Sequence, residues 1–213
     1  LRDKLKVELQ VPILSLAICA LFNLFYVLWS VPVTNQSTLL LYSLHETSLV
    51  SWSLLLSLFY HLSASHLLLN FFLLLIFGSL LERQIGSFRF LLVFLFGGIV
   101  GNLIQSIAVP EAFVLGSSAA LFAVLGAHVM RDPLLDISFF GKVKIPLILV
   151  FGTFFSLDYL FRIETSSDLL LFANLAHLIG FFVGIMLMGL LYQETIDIFY
   201  NWLGISLGFW LVL

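Results

Sequence analysis

Residues 88–108 read FRFLLVFLFGGIVGNLIQSIA, an apolar run whose single charged side chain, Arg89, lies next to its start. A helix that crosses the hydrocarbon core of a bilayer needs about 20 predominantly apolar residues. The run meets that length, and its charged residue lies at the edge, where a membrane helix tolerates it. This stretch therefore predicts a transmembrane helix, around which the rest of the chain can be organised.

The same apolar character extends over all 213 residues, of which 62% are hydrophobic and 10% charged, with a mean hydropathy of +1.15. A soluble domain is usually about half apolar and about a quarter charged. No water-soluble fold of this length could bury so much apolar surface. Nucleic-acid-binding proteins, soluble dinucleotide-binding enzymes and disulfide scaffolds are therefore excluded. The single cysteine, Cys19, provides neither a disulfide framework nor a cysteine metal site.

The boundaries of the other spans are marked by the five prolines, which are disfavoured inside helices. The predicted spans are 12–31, 64–82, 88–108, 117–130, 145–162 and 169–191. A last apolar run, 196–213, leaves a seventh span open. We thus expect an all-α polytopic membrane bundle in three parts. These are a cytoplasmic N-terminal segment (1–11), a six-helix membrane domain (12–191) and a C-terminal apolar segment (192–213).

Basic residues, counted loop by loop, predict the orientation of the bundle. Eight of the nine share one side: Arg2, Lys4, Lys6, Arg83, Arg89, Arg131, Lys142 and Lys144. Only Arg162 falls on the other side. We therefore expect a multi-pass protein of the cell membrane with a cytoplasmic N-terminus. The long 32–63 connection then lies outside, in the outer membrane interface.

Strongly polar side chains are costly at membrane depth, so each one in a span is a candidate for function. They are Asn23, His66, Asn70, Asn102, Gln105, Ser118, His128, Asp158, Asn174 and His177. By the predicted topology, four of these lie toward the outer end of three different helices, namely His66 and Asn70, Ser118, and His177. A functional site toward the outer side is therefore predicted.

A hydroxyl and an imidazole at the same depth indicate an activated serine nucleophile. In this interpretation His177 accepts the Ser118 proton and later delivers it to the leaving amine. No carboxylate lies at matching depth, so a dyad is predicted rather than a triad, with Asn174 as the nearest polar residue on the same helix. Other polar residues have simpler interpretations. His61 reads as a loop or supporting group, and His128 as facing the cytoplasmic interface.

The start of the fourth span adds unpaired N–H groups and a favourable dipole for developing negative charge. His66 and Asn70, four residues apart on one helix face, can donate to the same oxyanion. Gly116 allows an acyl group to approach the backbone. Small residues at every fourth position, Ala119–Ala123–Ala127 and Gly180–Gly184, predict close packing between the serine-bearing and histidine-bearing helices.

These motifs, taken together, resemble the rhomboid intramembrane serine proteases. Residues 61–70, HLSASHLLLN, look like the family's H-xxxx-H-xxx-N, and 116–119, GSSA, are similar to its G-x-S-G. Residues 176–180, AHLIG, together with Gly184, resemble its A-H-xx-G-xxx-G. Glu82-Arg83 followed by Gly86 looks like its E-R-xx-G segment. The order of the motifs along spans two, four and six also matches, and the resemblance covers about residues 50–190.

The resemblance implies an endopeptidase that cuts single-pass transmembrane proteins near the outer end of their membrane helix. Ser118 would be the nucleophile, His177 the base, and the Ser118 N–H, His66 and Asn70 the oxyanion hole. Substrate would enter from the bilayer past the fifth span. Two departures are expected to tune the site: Ala119 stands where the pattern has glycine, and Phe122 where some members carry a tyrosine stacked on the base.

Two other functions remain as alternatives. One is a catalytically silent member of the same architecture that binds membrane helices without cutting them. The other is a small transporter, against which stand the absence of an internal repeat and of a chain of acidic residues. The sequence contains no zinc motif of the H-E-xx-H type and no intramembrane aspartate pair. We therefore expect no metal, no cofactor and no nucleic-acid partner.

Overall fold

A computed structural model describes seven stretches of the chain, which are 12–29, 52–61, 63–110, 114–132, 136–139, 143–146 and 173–192. It also describes isolated helical positions at 149, 152–153, 156, 201 and 204. Most of the predicted fifth span (145–162) and most of the apolar run 196–213 lie outside these residues, as do Asp158 and the side chain of Asn174. The six-span count and the three-part division of the chain therefore stay predictions.

The described part of the chain is mostly helical. Its helices are α1 (Ile13–Trp29), α2 (Ser53–Leu56), α3 (Ala64–Leu73), α4 (Ser79–Ile85), α5 (Ser87–Ala108), α6 (Ser118–Arg131) and α7 (Ala173–Leu191). A π-helical turn, Leu74–Gly78, joins α3 and α4 into one continuous helix. Two helices, Ala64–Ile85 and Ser87–Ala108, are long and apolar enough to cross a membrane. The helix bounds lie within a few residues of those predicted from the apolar runs.

One departure is a pair of antiparallel strands in the connection after α6. Strands β1 (Asp136–Phe139) and β2 (Val143–Pro146) pair antiparallel, with Ile137 opposite Ile145. The prediction that a helix begins at 145 is therefore wrong, because 145 and 146 belong to β2. The local sequence carries the strand signal: apolar and polar residues alternate through Val143, Lys144 and Ile145, as they do in half-buried strands.

The helix α6 lies at the centre of the bundle, and every residue from Ala119 to Met130 is buried. Its small residues allow the backbones of α5 and α7 to approach closely. Gly180 packs against the backbone of Ala119, and Gly184 against that of Ala123. A Cβ atom at either glycine would collide with a carbonyl group of α6. The predicted pairing of the two small-residue ridges is therefore the observed contact between α6 and α7.

His128, on α6, is fully buried, so the prediction that it faces the interface is wrong. Its Nε2 lies 2.9 Å from the carbonyl oxygen of Phe77, within the π-helical turn. A π-helical turn disturbs the regular pairing of helix carbonyls, and a polar side chain of a neighbouring helix can satisfy one of them. The sequence could not predict this contact because nothing in residues 74–78 marks the turn.

The carboxylate of Glu82 caps the N-terminus of α1. It accepts hydrogen bonds from the backbone N–H of Leu14 (2.9 Å) and Ser15 (2.7 Å) and from the hydroxyls of Ser15 and Ser87 (2.7 Å each). Unpaired N–H groups and the helix dipole both favour a carboxylate at a helix N-terminus. Glu82 thereby joins α1, α4 and α5. Gly86, with a φ of +83°, makes the left-handed turn between α4 and α5.

Residues 52–61, at the end of the long connection, pack against the helices with half of their side chains buried, and the outer-interface position of the 32–63 connection stays a prediction. Leu58 is fully buried, and a Cβ atom at Gly98 would lie 2.7 Å from its Cδ2. The hydroxyl of Ser57 accepts a hydrogen bond of 3.5 Å from the Asn102 side chain. Trp52, by contrast, is 79% exposed. This segment packs against α5 because Gly98 leaves room for Leu58.

Candidate active site

The two residues predicted to act as nucleophile and base are in direct contact. The Oγ atom of Ser118 lies 2.7 Å from Nε2 of His177, a hydrogen bond across 59 positions of sequence. Ser118 is the first residue of α6 and is half-buried, whereas His177 lies one turn inside α7 and is 5% exposed. Gly180, three residues after His177, packs closely on Ala119, the residue after Ser118, and this brings the two side chains within reach.

The side chains of His66 and Asn70 face the backbone at Gly116, two residues before Ser118. A Cβ atom at Gly116 would lie 2.6 Å from Cε1 and 2.9 Å from Nε2 of His66, and 3.8 Å from Nδ2 of Asn70. Gly116 has a φ of +109°, a conformation that other residues rarely adopt. Glycine is therefore required here twice, for its conformation and for its lack of a side chain.

Asn70 is 1% exposed, and its Nδ2 has no hydrogen-bond acceptor in the part of the chain that the structure describes. A buried donor without a partner is costly and calls for an explanation. Because this donor points toward the loop that leads into Ser118, it is available to an oxygen atom of a bound molecule. The helix dipole of α6 is directed to the same place, and the N-cap residue Ser117 makes no side-chain capping hydrogen bond.

The loop before α6 is held by the 52–61 segment, in which Ser57 is fully buried. The N–H of Gly116 donates a hydrogen bond of 2.8 Å to the carbonyl oxygen of Ser57. On the other side, the Gln105 side chain accepts a hydrogen bond of 3.1 Å from the N–H of Ala176, the residue before His177. Gln105 and Asn102 thus each form a hydrogen bond from α5 to a neighbouring segment. The bond from Gly116 to Ser57 positions the backbone before Ser118, and the bond from Ala176 to Gln105 positions the backbone next to His177.

The two departures from the family pattern have clear structural positions. The ring of Phe122 stacks on the imidazole of His177, with the ring centroids 4.5 Å apart and an interplanar angle of 4°. The methyl group of Ala119 is fully buried and faces α5, where a Cβ atom at Gly101 would lie 2.9 Å from it. Ala119 is therefore accommodated by a glycine on the neighbouring helix.

His61 was predicted to be a loop or supporting residue, but the sequence did not indicate which side chains it contacts. It is 1% exposed, its ring is edge-on to that of His66 with the centroids 5.0 Å apart, and its Nδ1 lies 3.1 Å from the Phe59 carbonyl oxygen. Burial, together with the nearby His66, lowers the pKa of His61 to about 3, although the bond to Phe59 opposes this shift. His61 is therefore neutral at physiological pH and packs directly behind His66.

The arrangement provides a hydroxyl bonded to an imidazole, beside a helix N-terminus and two side chains that can donate hydrogen bonds. No group of three or more His, Cys, Asp or Glu residues that could hold a metal occurs among the described residues. Such a set fits acyl transfer through a serine nucleophile.

Comparison with known proteins adds independent information. A family model described as the Rhomboid domain matches residues 49–194. The chain is 37% identical over 98 residues to "Rhomboid protease GluP" of Bacillus subtilis, an alignment that covers 44% of this chain and 19% of that protein. It is 30% identical over 132 residues to "Rhomboid protease GlpG" of Haemophilus influenzae, covering 59% of this chain and 62% of that protein.

A plant protein is also similar. "RHOMBOID-like protein 6, mitochondrial" of Arabidopsis thaliana is 29% identical over 136 residues, which cover 64% of this chain and 42% of that protein. The chain thus spans less than half the length of this protein and of the Bacillus protease. The names of these relatives include both proteases and rhomboid-like proteins.

Proposed function

This chain belongs to the rhomboid family, a membrane-embedded family that includes serine proteases, and we propose that it is itself an intramembrane serine endopeptidase. The observation that carries the proposal is the 2.7 Å contact between Ser118 Oγ and His177 Nε2. The family alone does not decide activity, because it also contains rhomboid-like members. The contact supplies the chemistry that a protease requires.

In the proposed reaction, Ser118 Oγ attacks the carbonyl carbon of the scissile peptide bond while His177 Nε2 takes its proton. The carbonyl oxygen becomes an oxyanion, which accepts hydrogen bonds from the Ser118 N–H, His66 and Asn70. Collapse of this intermediate breaks the C–N bond, and His177 returns the proton to the leaving amine. The products of this half-reaction are an acyl ester on Ser118 and a free amine.

Hydrolysis of the ester repeats these steps with water as the nucleophile. His177 takes a proton from water as the water oxygen attacks the ester carbonyl, and then returns it to Ser118 Oγ as the ester bond breaks. The stacked ring of Phe122 holds the imidazole in one plane through both half-reactions. Each proton transfer therefore uses the same nitrogen atom in the same position.

The proposed substrates are single-pass transmembrane proteins, cut near the outer end of their membrane helix. Ser118 begins α6 and His66 and Asn70 lie in the first two turns of α3, so the proposed site lies toward one end of the bundle. The basic residues on the described helices lie at the opposite end: Arg83 in the last turn of α4, Arg89 near the start of α5 and Arg131 at the end of α6. With these residues cytoplasmic, the site faces the outer side of the cell membrane.

The proposal is tested by covalent labelling of the purified protein with a fluorophosphonate, which reacts with activated serines. We expect labelling of the unmodified protein and none of Ser118→Ala or His177→Ala. Ser117→Ala is the matched control, because Ser117 is adjacent and fully buried, and its variant should still be labelled. Absence of labelling in the unmodified protein, or labelling that survives Ser118→Ala, would contradict the proposal.

Cleavage of a single-pass reporter protein in vesicles provides the second readout. We expect cleavage by the unmodified protein and none by Ser118→Ala or His177→Ala. A protein that binds the reporter but neither cuts it nor reacts with the fluorophosphonate would be a silent member of the family. Solute flux that tolerates both substitutions would instead indicate a transporter.

A further inference from the structure

At the end of the bundle opposite Ser118, two guanidinium groups contact one tyrosine ring. The Cζ atoms of Arg89 and Arg131 lie 5.3 Å and 5.2 Å from the ring centroid of Tyr192. Arg89 also donates hydrogen bonds of 3.3 Å to the Tyr192 hydroxyl and to the Ile85 carbonyl oxygen. We call these three residues, Arg89, Arg131 and Tyr192, the arginine–tyrosine cluster. It joins the start of α5 to the ends of α6 and α7.

The positive charge of this cluster is not compensated within the described part of the chain, where neither guanidinium forms an ion pair with a carboxylate. Glu82 lies near Arg89 in sequence, but its oxygens accept hydrogen bonds from Leu14, Ser15 and Ser87. Two like charges beside one ring repel each other, and an anion bound between them would relieve that repulsion. The N-terminus of α5 adds a partial positive charge here and the C-termini of α6 and α7 add partial negative ones, so the net positive charge comes from the two guanidinium groups.

The surroundings of the cluster fit a lipid. Phe88, next to Arg89, is 73% exposed, and Leu190, two residues before Tyr192, is 70% exposed. They leave apolar surface beside the cationic groups, as acyl chains attached to a headgroup would require. Tyrosine and arginine are also the residues that membrane proteins place at the level of the headgroups. By the basic-residue count, this end of the bundle faces the cytoplasm, where anionic lipids attract cationic groups.

We propose that the arginine–tyrosine cluster binds the phosphate of an anionic phospholipid from the cytoplasmic leaflet. The planar guanidinium groups would donate paired hydrogen bonds to the phosphate oxygens, a geometry that suits arginine better than lysine. Tyr192 holds both groups in place through its ring. Because the cluster joins α5, α6 and α7, the bound lipid stabilises the contact between the helices that carry Ser118 and His177.

Native mass spectrometry of the detergent-purified protein tests the proposal. The probes are a phosphatidylglycerol and a phosphatidylcholine with identical acyl chains. We expect retained phosphatidylglycerol adducts, and about fivefold weaker retention for each of Arg89→Gln and Arg131→Gln, with a larger loss for the double variant. Arg83→Gln is the matched control, because Arg83 is exposed near the same end and makes no described contact with Tyr192.

Inorganic phosphate, added at the same concentrations, distinguishes a lipid site from a general anion site. We expect phosphatidylglycerol, but not phosphate, to raise the unfolding temperature, and only when the cluster is intact. Equal retention of the two lipids would overturn the proposal. So would equal losses in the control and cluster variants, or stabilisation by phosphate alone. Circular dichroism and size-exclusion profiles confirm that each variant is folded, and none of these readouts depends on protease activity.

Discussion

The ring of Phe122 lies parallel to the imidazole of His177, one on α6 and the other on α7, with their centroids 4.5 Å apart. Both residues are 5% exposed, so the stack is enclosed by protein. Stacked aromatic pairs contribute about 0.5–1.5 kcal/mol beyond the burial of their surface. Here the contact fixes the plane of the imidazole, and with it the direction in which Nε2 points toward Ser118. The tyrosine hydroxyl of some family members is not needed for the stacking itself.

This contact predicts the effects of two substitutions at position 122. Phe122→Leu removes the stack and should lower turnover of a transmembrane reporter by about 2- to 10-fold, the rate equivalent of the stacking energy. Phe122→Tyr keeps the ring and should retain most of the turnover. Both are measured with the reporter assay, together with the rate of fluorophosphonate labelling. If Phe122→Leu were as active as the unmodified protein, imidazole orientation would not depend on the stack.

Asn70→Ala tests the proposed oxyanion donor. Removal of one such donor typically lowers turnover by about 10²- to 10³-fold, and we expect about 10²-fold here because His66 and the Ser118 N–H remain. Ser118 and His177 keep their contact, so fluorophosphonate labelling should be slowed rather than abolished. Asn23→Ala is a suitable control, because Asn23 is exposed and, among the described residues, donates its side-chain hydrogen bond to the Cys19 carbonyl oxygen of its own helix. An unchanged rate for Asn70→Ala would remove this residue from the site.

Gly184→Val tests the close approach of α6 and α7. The added side chain would meet the backbone of Ala123, which cannot move aside, so the helices must separate. Overpacking of this kind costs about 1–3 kcal/mol of folding free energy. The Ser118–His177 contact should be lost with it, and labelling should fall sharply. Met186→Val, on the same helix but 56% exposed, should leave both unfolding temperature and labelling unchanged.

Glu82→Ala is expected to destabilise the protein without touching the proposed site. The substitution leaves the N–H groups of Leu14 and Ser15 without their acceptor and breaks the bonds to two hydroxyls. Hydrogen bonds to charged groups contribute about 1.5–3 kcal/mol each, so the loss should amount to several kcal/mol. Thermal unfolding in detergent measures it, with Arg83→Ala as the neighbouring exposed control. Equal unfolding temperatures for the two variants would show that Glu82 does not cap α1.

His61 predicts how stability depends on pH. Its pKa is lowered to about 3 in the folded protein, whereas the unfolded value is about 6.5. Between these values the unfolded chain binds more protons, so stability should fall as the pH is lowered from 6.5 toward 3. His61→Phe should make this fall less steep when unfolding temperatures are compared between pH 7 and pH 4.5. A slope as steep as that of the unmodified protein would contradict the assignment.

Much of the helical framework could be predicted from apolar runs and prolines. A helix in lipid satisfies its own backbone hydrogen bonds, so a sufficiently long apolar run indicates a helix without reference to the rest of the fold. The pairing of α6 with α7 was also predictable, since Gly180 and Gly184 match the small residues at 119 and 123. The paired strands at 136–139 and 143–146 carry an alternating pattern that the adjacent apolar run obscured. The burial of His128 could not be predicted, because its acceptor, the Phe77 carbonyl, belongs to a π-helical turn without a sequence signature.

The sequence by itself determined that the chain is a helical membrane protein of the rhomboid family, and which few polar side chains its spans contain. Composition and motif order carry that information because both can be read along the chain without knowing which residues are neighbours in space. Only the tertiary structure decided how these side chains meet. The 2.7 Å contact of Ser118 with His177, the position of Asn70 beside Gly116 and the cap by Glu82 all depend on how separate helices pack. Packing arises from the whole set of surfaces that meet, and no single segment of sequence encodes it.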